Sequence, residues 1–364
     1  MTTYLLAGGG TAGHVNPLLA TADALREREP DAVVIALGTR EGLESRLVPG
    51  RGYELVFVPR VPFPRRLNRQ ALSFPGRFHG AVSGVVDLIR SRNVDVVVGF
   101  GGFVSTPAYL AARRAGIPIA IHEANAKPGL ANKLGARFTR HVGVAFTGTP
   151  IRHGQFVGMP LRPEIEHLDR NGVRRQAEEF FNLDHSRKTL LVTGGSLGAR
   201  RLNNTLVQAA PELIAGGWQV LHITGERSEV SDPGLDHYRM IRYCDRMDLA
   251  LGAADFAVSR AGAATVSELC ALGIPAVYVP YPVGNGEQRF NAADAVRAGG
   301  ALLVDDSAFL PEWVHSDLIP VLADTLRLGT MGRAAASVGV RDGSTRMVEL
   351  IHRALTPRGP DHGA

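Results

Sequence analysis

Cysteine is nearly absent from this 364-residue chain: Cys244 and Cys270 are too few and too isolated for a disulfide framework or a zinc site, which suits a reducing cytoplasm. Lysine is almost as scarce. Of 40 cationic side chains only Lys127, Lys133 and Lys188 are lysine, a bias of composition, and the formal net charge of +5 gives no general argument for a nucleic-acid partner. No run of about 18 apolar residues occurs, so a transmembrane helix is not expected and any membrane contact is peripheral. The first seven residues carry no basic segment and run straight into Gly8, which reads as a first strand and not as a signal peptide.

What the chain does have is glycine, 42 residues of it, placed repeatedly between short apolar runs and stretches of helical period. The runs at 4–7, 33–37, 55–58, 94–98 and 117–121 have the composition of strands buried on both faces of a parallel sheet. Helical segments are expected at 17–28, 77–90, 107–115 and 129–138. After a Gly/Pro-rich stretch at 147–163 the pattern restarts, with strands expected at 189–192, 220–223, 239–243, 256–258 and 276–279. At about 150 residues per domain, two domains follow. The fold class is α/β, with two Rossmann-like, doubly wound parallel-sheet domains facing each other across a cleft, at 1–160 and 161–340. A C-terminal helix and frayed tail, 341–364, are expected to pack back on the first domain. Ligands of open α/β sheets sit beyond the carboxyl ends of the strands.

Several loops there carry chemistry. Gly8, Gly10 and Gly13 have the G-x-G-x-x-G spacing of a dinucleotide fingerprint, but His14 follows the last glycine and Gly38-Thr39-Arg40-Glu41 stands where a clean acid would end the second strand. A neutral imidazole at His14 can take a proton from a substrate hydroxyl; a His that merely packs against its loop is the alternative. His122-Glu123-Ala124-Asn125 follows a strand, and Glu123 either supports the chemistry or bonds neighbouring backbone. Gly194-Gly195-Ser196-Leu197-Gly198 repeats the first loop in the second half. Ser259-Arg260-Ala261-Gly262-Ala263-Ala264-Thr265-Val266-Ser267-Glu268 places small residues at a helix start that can receive a diphosphate, with Glu268 able to accept from two ribose hydroxyls. Gln288 and Asn291 open the next helix with amides that can read sugar hydroxyls.

Between residues 55 and 86 there is no acid, while Arg60, Arg65, Arg66, Arg69 and Arg77 interleave with Phe63, Phe74 and Phe78. Cations with exposed apolar groups suit an anionic membrane surface, at about 1 kcal/mol per cation. An RNA-binding patch and an ordinary flexible loop are the other readings.

Together these loops resemble the MurG family of bacterial GT-B glycosyltransferases. The resemblance covers essentially the whole chain. It rests on Gly9-Gly10-Thr11-Ala12-Gly13-His14, His122-Glu123-Ala124-Asn125, Gly158-Met159-Pro160-Leu161-Arg162, Gly194-Gly195-Ser196-Leu197-Gly198-Ala199-Arg200 and residues 263–268 with Gln288 and Asn291 beyond. It implies transfer of GlcNAc from UDP-GlcNAc to a lipid-linked muramyl-pentapeptide in peptidoglycan synthesis, at the cytoplasmic face of the cell membrane. It also implies other cell-wall synthesis proteins as partners and no nucleic acid. By the same resemblance Ala263, Ala264, Thr265, Val266, Ser267 and Glu268 bind the nucleotide, and Cys244 lies beside the uracil. Gln288 and Asn291 contact the sugar, Ser196 and Arg162 the nucleotide-sugar, and Thr11, Ala12, Gly13 and Asn125 complete the donor site. His14 is the candidate base. The family's first loop usually has Gly where Ala12 stands, and relatives often carry Gln or His at position 287, which is Glu here. No D-x-D type motif demands a metal, so no tightly bound cofactor is expected, with loose Mg²⁺ stimulation left open. A UDP-GlcNAc 2-epimerase, a glycosyltransferase with a soluble acceptor, a silent nucleotide-sugar sensor and an NAD-dependent dehydrogenase are the competing readings.

Overall fold

The computed structural model describes residues 1–61, 69–195, 199–283 and 286–356. The chain divides into two compact units, Met1–Arg162 with Asp342–Ala364, and Pro163–Arg341.

The first unit is built from β1 (Thr3–Gly8), α1 (Ala12–Arg28), β2 (Val33–Gly38), α2 (Glu44–Gly50), β3 (Glu54–Phe57), α3 (Arg69–Ser91), β4 (Val96–Gly101), α4 (Ser105–Ala115), β5 (Ile119–Glu123), α5 (Leu130–Gly135), β6 (His141–Val144) and β7 (Gly154–Phe156). Its seven strands run parallel in the order β3-β2-β1-β4-β5-β6-β7. The central strand shows why this sequence makes a two-faced sheet. Tyr4 and Leu6 enter a core with α1 and the C-terminal helix Gly343–Leu355, through Leu18, Leu25, Met347 and Ile351. Leu5 and Ala7 enter the opposite core, with Val82 and Val86 of α3 and Tyr109 of α4. Side chains alternate in a strand, so an unbroken apolar run fills both layers.

The second unit contains α6 (Pro163–Glu166), α7 (Arg170–Phe181), β8 (Lys188–Thr193), α8 (Arg200–Gln208), α9 (Ala210–Ala215), β9 (Trp218–Ile223), β10 (Tyr238–Ile241), α10 (Met247–Ala253), β11 (Ala254–Ser259), α11 (Ala263–Ala271), β12 (Ala276–Tyr278), α12 (Glu287–Asn291), α13 (Ala293–Arg297) and β13 (Ala301–Leu303), followed by further helices. Its six strands are again parallel, in the order β10-β9-β8-β11-β12-β13. One core cluster runs from Leu202 and Leu206 of α8 through Val192, Phe256 and Val277 of the sheet to Phe309 and Val314.

Three sequence expectations need correction. The first helix begins at Ala12, not near Pro17, so Ala12, Gly13 and His14 form its first turn. Pro17 therefore lies inside the helix, in its second turn, where it supplies no N–H to the Gly13 carbonyl. Strand β5 runs to Glu123, so His122 and Glu123 end the strand instead of following it, and both are buried. The helix expected from position 77 begins at Arg69, which makes residues 69–79 helical and not loop.

Candidate active site

In the first unit three loops meet at the carboxyl edge of the sheet. Gly10, at φ +89°, turns the chain after β1 into Thr11, the N-cap of α1, whose carbonyl accepts from the amides of His14 and Val15 at 3.1 Å each. After β4, Gly101 and Gly102 have φ of +98° and +83°. A Cβ on Gly102 would lie 2.5 Å from the Gly9 carbonyl oxygen, so glycine is needed there for both conformation and close approach. Ser105, at the start of α4, donates to the carbonyl of Ala7 at 3.0 Å and accepts from the amide of Gly101 at 3.0 Å, tying the two loops together.

His14 sits where these loops meet, partly exposed. Its Nδ1 lies 3.1 Å from the Gly9 carbonyl and 3.4 Å from the Thr11 hydroxyl; a carbonyl only accepts, so the bond to Gly9 forms with the proton on Nδ1, and in the neutral ring Nε2 is then the acceptor. Nε2 faces Gly101, where a Cβ would stand 3.0 Å away. Ala12 takes helical backbone angles, so the alanine in place of the family's usual glycine needs no left-handed conformation.

Glu123 is 2% exposed. Its Oε1 accepts from the amide of Asn125 at 3.0 Å; its Oε2 accepts from the amide of Gly129 at 3.0 Å and from Asn132 Nδ2 at 2.9 Å. This carboxylate shapes the loop that carries Asn125. His122 is wholly buried; burial pushes its imidazole down to about 4, so it is neutral and donates from Nε2 to the Gly158 carbonyl at 3.0 Å. Arg162 is the last residue of this unit's first segment and is half-buried.

The sequence reading missed Glu44. It is completely buried at the start of α2, and its carboxylate accepts from the amides of Gly10 and Thr39 at 2.8 Å each and from the Thr39 hydroxyl at 2.9 Å. The only trace in the sequence is an acid in a first helical turn shortly after a strand ending in glycine.

Of the basic, apolar segment, Phe63, Arg65 and Arg66 lie outside the described residues, and Arg69 is described only as the first residue of α3. Arg60 stacks its guanidinium over the exposed Phe103 ring, 5.0 Å from the centroid, and its carbonyl accepts from Arg77 at 3.1 Å. Phe74 and Phe78 stack on one another along α3 with centroids 5.4 Å apart. Among the described residues no helix is long and apolar enough to cross a membrane.

In the second unit the start of α11 lacks a side-chain cap: Gly262 is its N-cap. The amide of Val266 is spent on the carbonyl of Gly262 at 2.9 Å, which leaves the amides of Ala263, Ala264 and Thr265 without helical partners. The side chains of Ala263 and Val266 are buried, while Ala264, Thr265, Ser267 and Glu268 remain partly exposed. Such a helix start carries about half a positive charge and suits a phosphate. Gln288 accepts from the amide of Tyr281 at 2.9 Å, and Asn291, 1% exposed, donates from Nδ2 to the carbonyl of Ala261 at 3.2 Å. Asn291 therefore braces the turn before α11. Cys244 is partly buried in the loop after β10, and Ser196 lies outside the described residues.

A cavity of about 980 Å³ beside α8 is lined by Arg200, Arg201, Arg227 and Arg260, a volume within the ~300–1,000 Å³ range of small-molecule sites. Arg260 and Arg201 both pair with Asp306 on its wall, at 2.7 and 3.1 Å. None of residues 262–268 lines it.

Two parallel-sheet units, each with glycine turns and helix starts at the carboxyl ends of its strands, define an α/β protein of the GT-B class. Residues 4–144 match the glycosyltransferase family 28 N-terminal domain and residues 189–347 the glycosyltransferase family 28 C-terminal domain. The chain belongs to glycosyltransferase family 28. It is 63% identical over 98% of its length, and 99% of the relative's, to a Leifsonia xyli protein named UDP-N-acetylglucosamine–N-acetylmuramyl-(pentapeptide) pyrophosphoryl-undecaprenol N-acetylglucosamine transferase. A Streptomyces coelicolor protein of the same name is 50% identical over 97% of this chain and 98% of its own. Among solved structures, Acinetobacter baumannii MurG superimposes with a TM-score of 0.79 at 28% identity, over 97% of this chain and 100% of the other. The Neisseria meningitidis UDP-GlcNAc 2-epimerase bound to UDP-GlcNAc has a TM-score of 0.69 at 14% identity, over 97% and 100% of the two chains, a likeness of fold alone.

Proposed function

We propose that this glycosyltransferase moves GlcNAc from UDP-GlcNAc to the C4 hydroxyl of the muramyl sugar of undecaprenyl-pyrophosphoryl-MurNAc-pentapeptide, the lipid I to lipid II step of peptidoglycan synthesis. The observation that carries the reading is 63% identity, over nearly the full length of both chains, to a protein bearing that activity as its name. The reaction is an inverting displacement. The C4 oxygen bonds to the anomeric carbon as the bond from that carbon to the UDP oxygen breaks, and the hydroxyl proton passes to His14 Nε2. The Nδ1–H bond to the Gly9 carbonyl supports this role, because it reserves Nε2 as the acceptor. A well-placed general base contributes about 10²–10⁴-fold.

The leaving diphosphate rests on the amides of Ala263, Ala264 and Thr265, whose fixed dipoles meet the developing charge without reorganising. Glu268 accepts from the ribose hydroxyls, Cys244 flanks the uracil, and Gln288, Asn291, Ser196, Arg162 and Asn125 complete the donor site, Asn291 by holding the turn before α11. Mg²⁺, if it stimulates, acts through the diphosphate. The enzyme works as a peripheral protein at the cytoplasmic face of the cell membrane, with Arg60, Arg77, Phe74 and Phe78 facing anionic lipid, alongside other cell-wall synthesis proteins. The test is the linkage formed from UDP-GlcNAc labelled at the anomeric carbon: a β-1,4 disaccharide on the lipid-linked acceptor is expected. An α-linked product, or N-acetylmannosamine released without acceptor, overturns the reading in favour of a retaining transferase or an epimerase.

A further inference from the structure

The peptide unit between Gly9 and Gly10 is held from both sides. Its N–H donates to Glu44 Oε2 at 2.8 Å, and its carbonyl accepts from His14 Nδ1–H at 3.1 Å. A trans amide points these groups in opposite directions, so one planar unit joins a carboxylate to an imidazole. The carboxylate has a space made for it. A Cβ on Gly9 would lie 2.4 Å from Glu44 Oε1, one on Gly42 2.0 Å from Oε2, and one on Gly38 2.4 Å from Cγ. Among the described residues the hydrogen-bond donors that reach it, the amides of Gly10, Thr39 and Glu44 itself and the Thr39 hydroxyl, are all neutral. Burial raises the Glu44 carboxyl, but the bonds from Gly10 and Thr39 outweigh it and hold the group below the ordinary carboxylate range, so the buried charge persists at neutral pH.

We propose that Glu44 is a positioning residue for His14, acting through the Gly9–Gly10 amide. A carboxylate on the amide N–H polarises the unit and makes its carbonyl a stronger acceptor, by about 10–30% per bond in a hydrogen-bonded chain. The stronger acceptor fixes the Nδ1–H tautomer, orients the ring, stabilises the imidazolium formed in the reaction and leaves Nε2 as the basic nitrogen. A carboxylate bonded directly to a catalytic imidazole does the same work; here one peptide unit stands between them. The inference rests on His14 being the base.

The test uses the full-length enzyme. In the wild type, ¹⁵N NMR of the His14 ring is expected to show Nδ1–H; an Nε2–H tautomer overturns the proposal without any variant. Glu44→Gln must turn an NH₂ group toward one of its donors. It is expected to lower kcat about 10–100-fold, the size of effect seen when the carboxylate that orients a metal-bound histidine is removed. It is also expected to move the acid limb of the pH profile to lower pH and to leave the KM for UDP-GlcNAc unchanged. A folded Glu44→Gln enzyme with wild-type kcat, pH profile and ring tautomer overturns it. Should that variant fail to fold, Glu44→Asp, which keeps the charge but withdraws it by one methylene, is read the same way. His14→Ala separates the two ideas: retained turnover removes the base reading, while the ring tautomer in the Glu44 variants still decides whether Glu44 positions His14.

Discussion

The hydroxyl of Tyr109 donates to Oδ1 of Asn132 at 2.7 Å, with both side chains buried. The same Asn132 donates from Nδ2 to the His122 carbonyl at 3.1 Å and to Glu123 at 2.9 Å. A tyrosine on α4 thus organises the loop after β5. Gly99 and Gly135 leave room for it, since Cβ atoms there would lie 1.9 Å from the Tyr109 hydroxyl and 2.7 Å from its ring. Tyr109→Phe keeps the ring but leaves Asn132 Oδ1 without this donor, and is expected to cost about 1–3 kcal/mol. Urea denaturation measures that loss directly. An unchanged midpoint contradicts the network.

Glu268 is expected to act on the donor alone. Losing the carboxylate removes two hydrogen bonds to a charged acceptor, so Glu268→Ala should raise the KM for UDP-GlcNAc on the order of tenfold or more, with a much smaller change in the acceptor KM. Steady-state kinetics with each substrate varied in turn distinguishes this from a general loss of activity.

Gly102 and Gly52 form a matched pair, since both have positive φ. A Cβ at Gly102 meets the Gly9 carbonyl at 2.5 Å, whereas one at Gly52 meets nothing within 4 Å. Gly52→Ala should therefore show backbone strain only, about 1 kcal/mol and little change in turnover. Gly102→Ala should displace the loop that holds His14 and cut kcat severely. Equal kinetics for the two variants would show that the approach of these loops is irrelevant to catalysis.

Acid weakens the fold through two buried histidines. Burial pushes both His122 and His222 down to about 4, against an ordinary value of 6.5. Between those values the unfolded chain binds protons that the folded chain does not, so stability falls as pH drops from about 6.5 to about 4. The slope is about 1.4 kcal/mol per pH unit for each histidine. His222 accepts or donates between Tyr238 and Asn203, at 2.7 and 3.1 Å, so His222→Gln should flatten that slope by one proton, as followed by chemical denaturation at a series of pH values.

The parallel architecture was legible because strands buried on both faces cannot disguise their apolar runs, and glycine marks each turn at their carboxyl ends. The start of α11 was legible for the same reason, since Gly262 follows the apolar strand and stands at the N-cap of the helix. Glu44 was not legible, because its role depends on Gly9, Gly38 and Gly42 converging from different turns, and no local pattern records that convergence. Asn291 and Glu123 have the side chains of ligand contacts, and in the structure Asn291 Nδ2 bonds the Ala261 carbonyl while Glu123 accepts from the 125–132 loop. Residue type at a strand or helix end announces a polar role without saying whether backbone or substrate receives it. The short strands β6, β7 and β13 carry three or four residues each, too few for a periodic signal.

The most direct measurement is UDP release from the purified enzyme given UDP-GlcNAc, with and without a short-chain lipid-linked muramyl-pentapeptide, and with the acceptor weighed by mass spectrometry. The account predicts UDP release that depends on the acceptor and an acceptor heavier by one GlcNAc. Release that is independent of the acceptor, or bound UDP-GlcNAc with no heavier product, would contradict it.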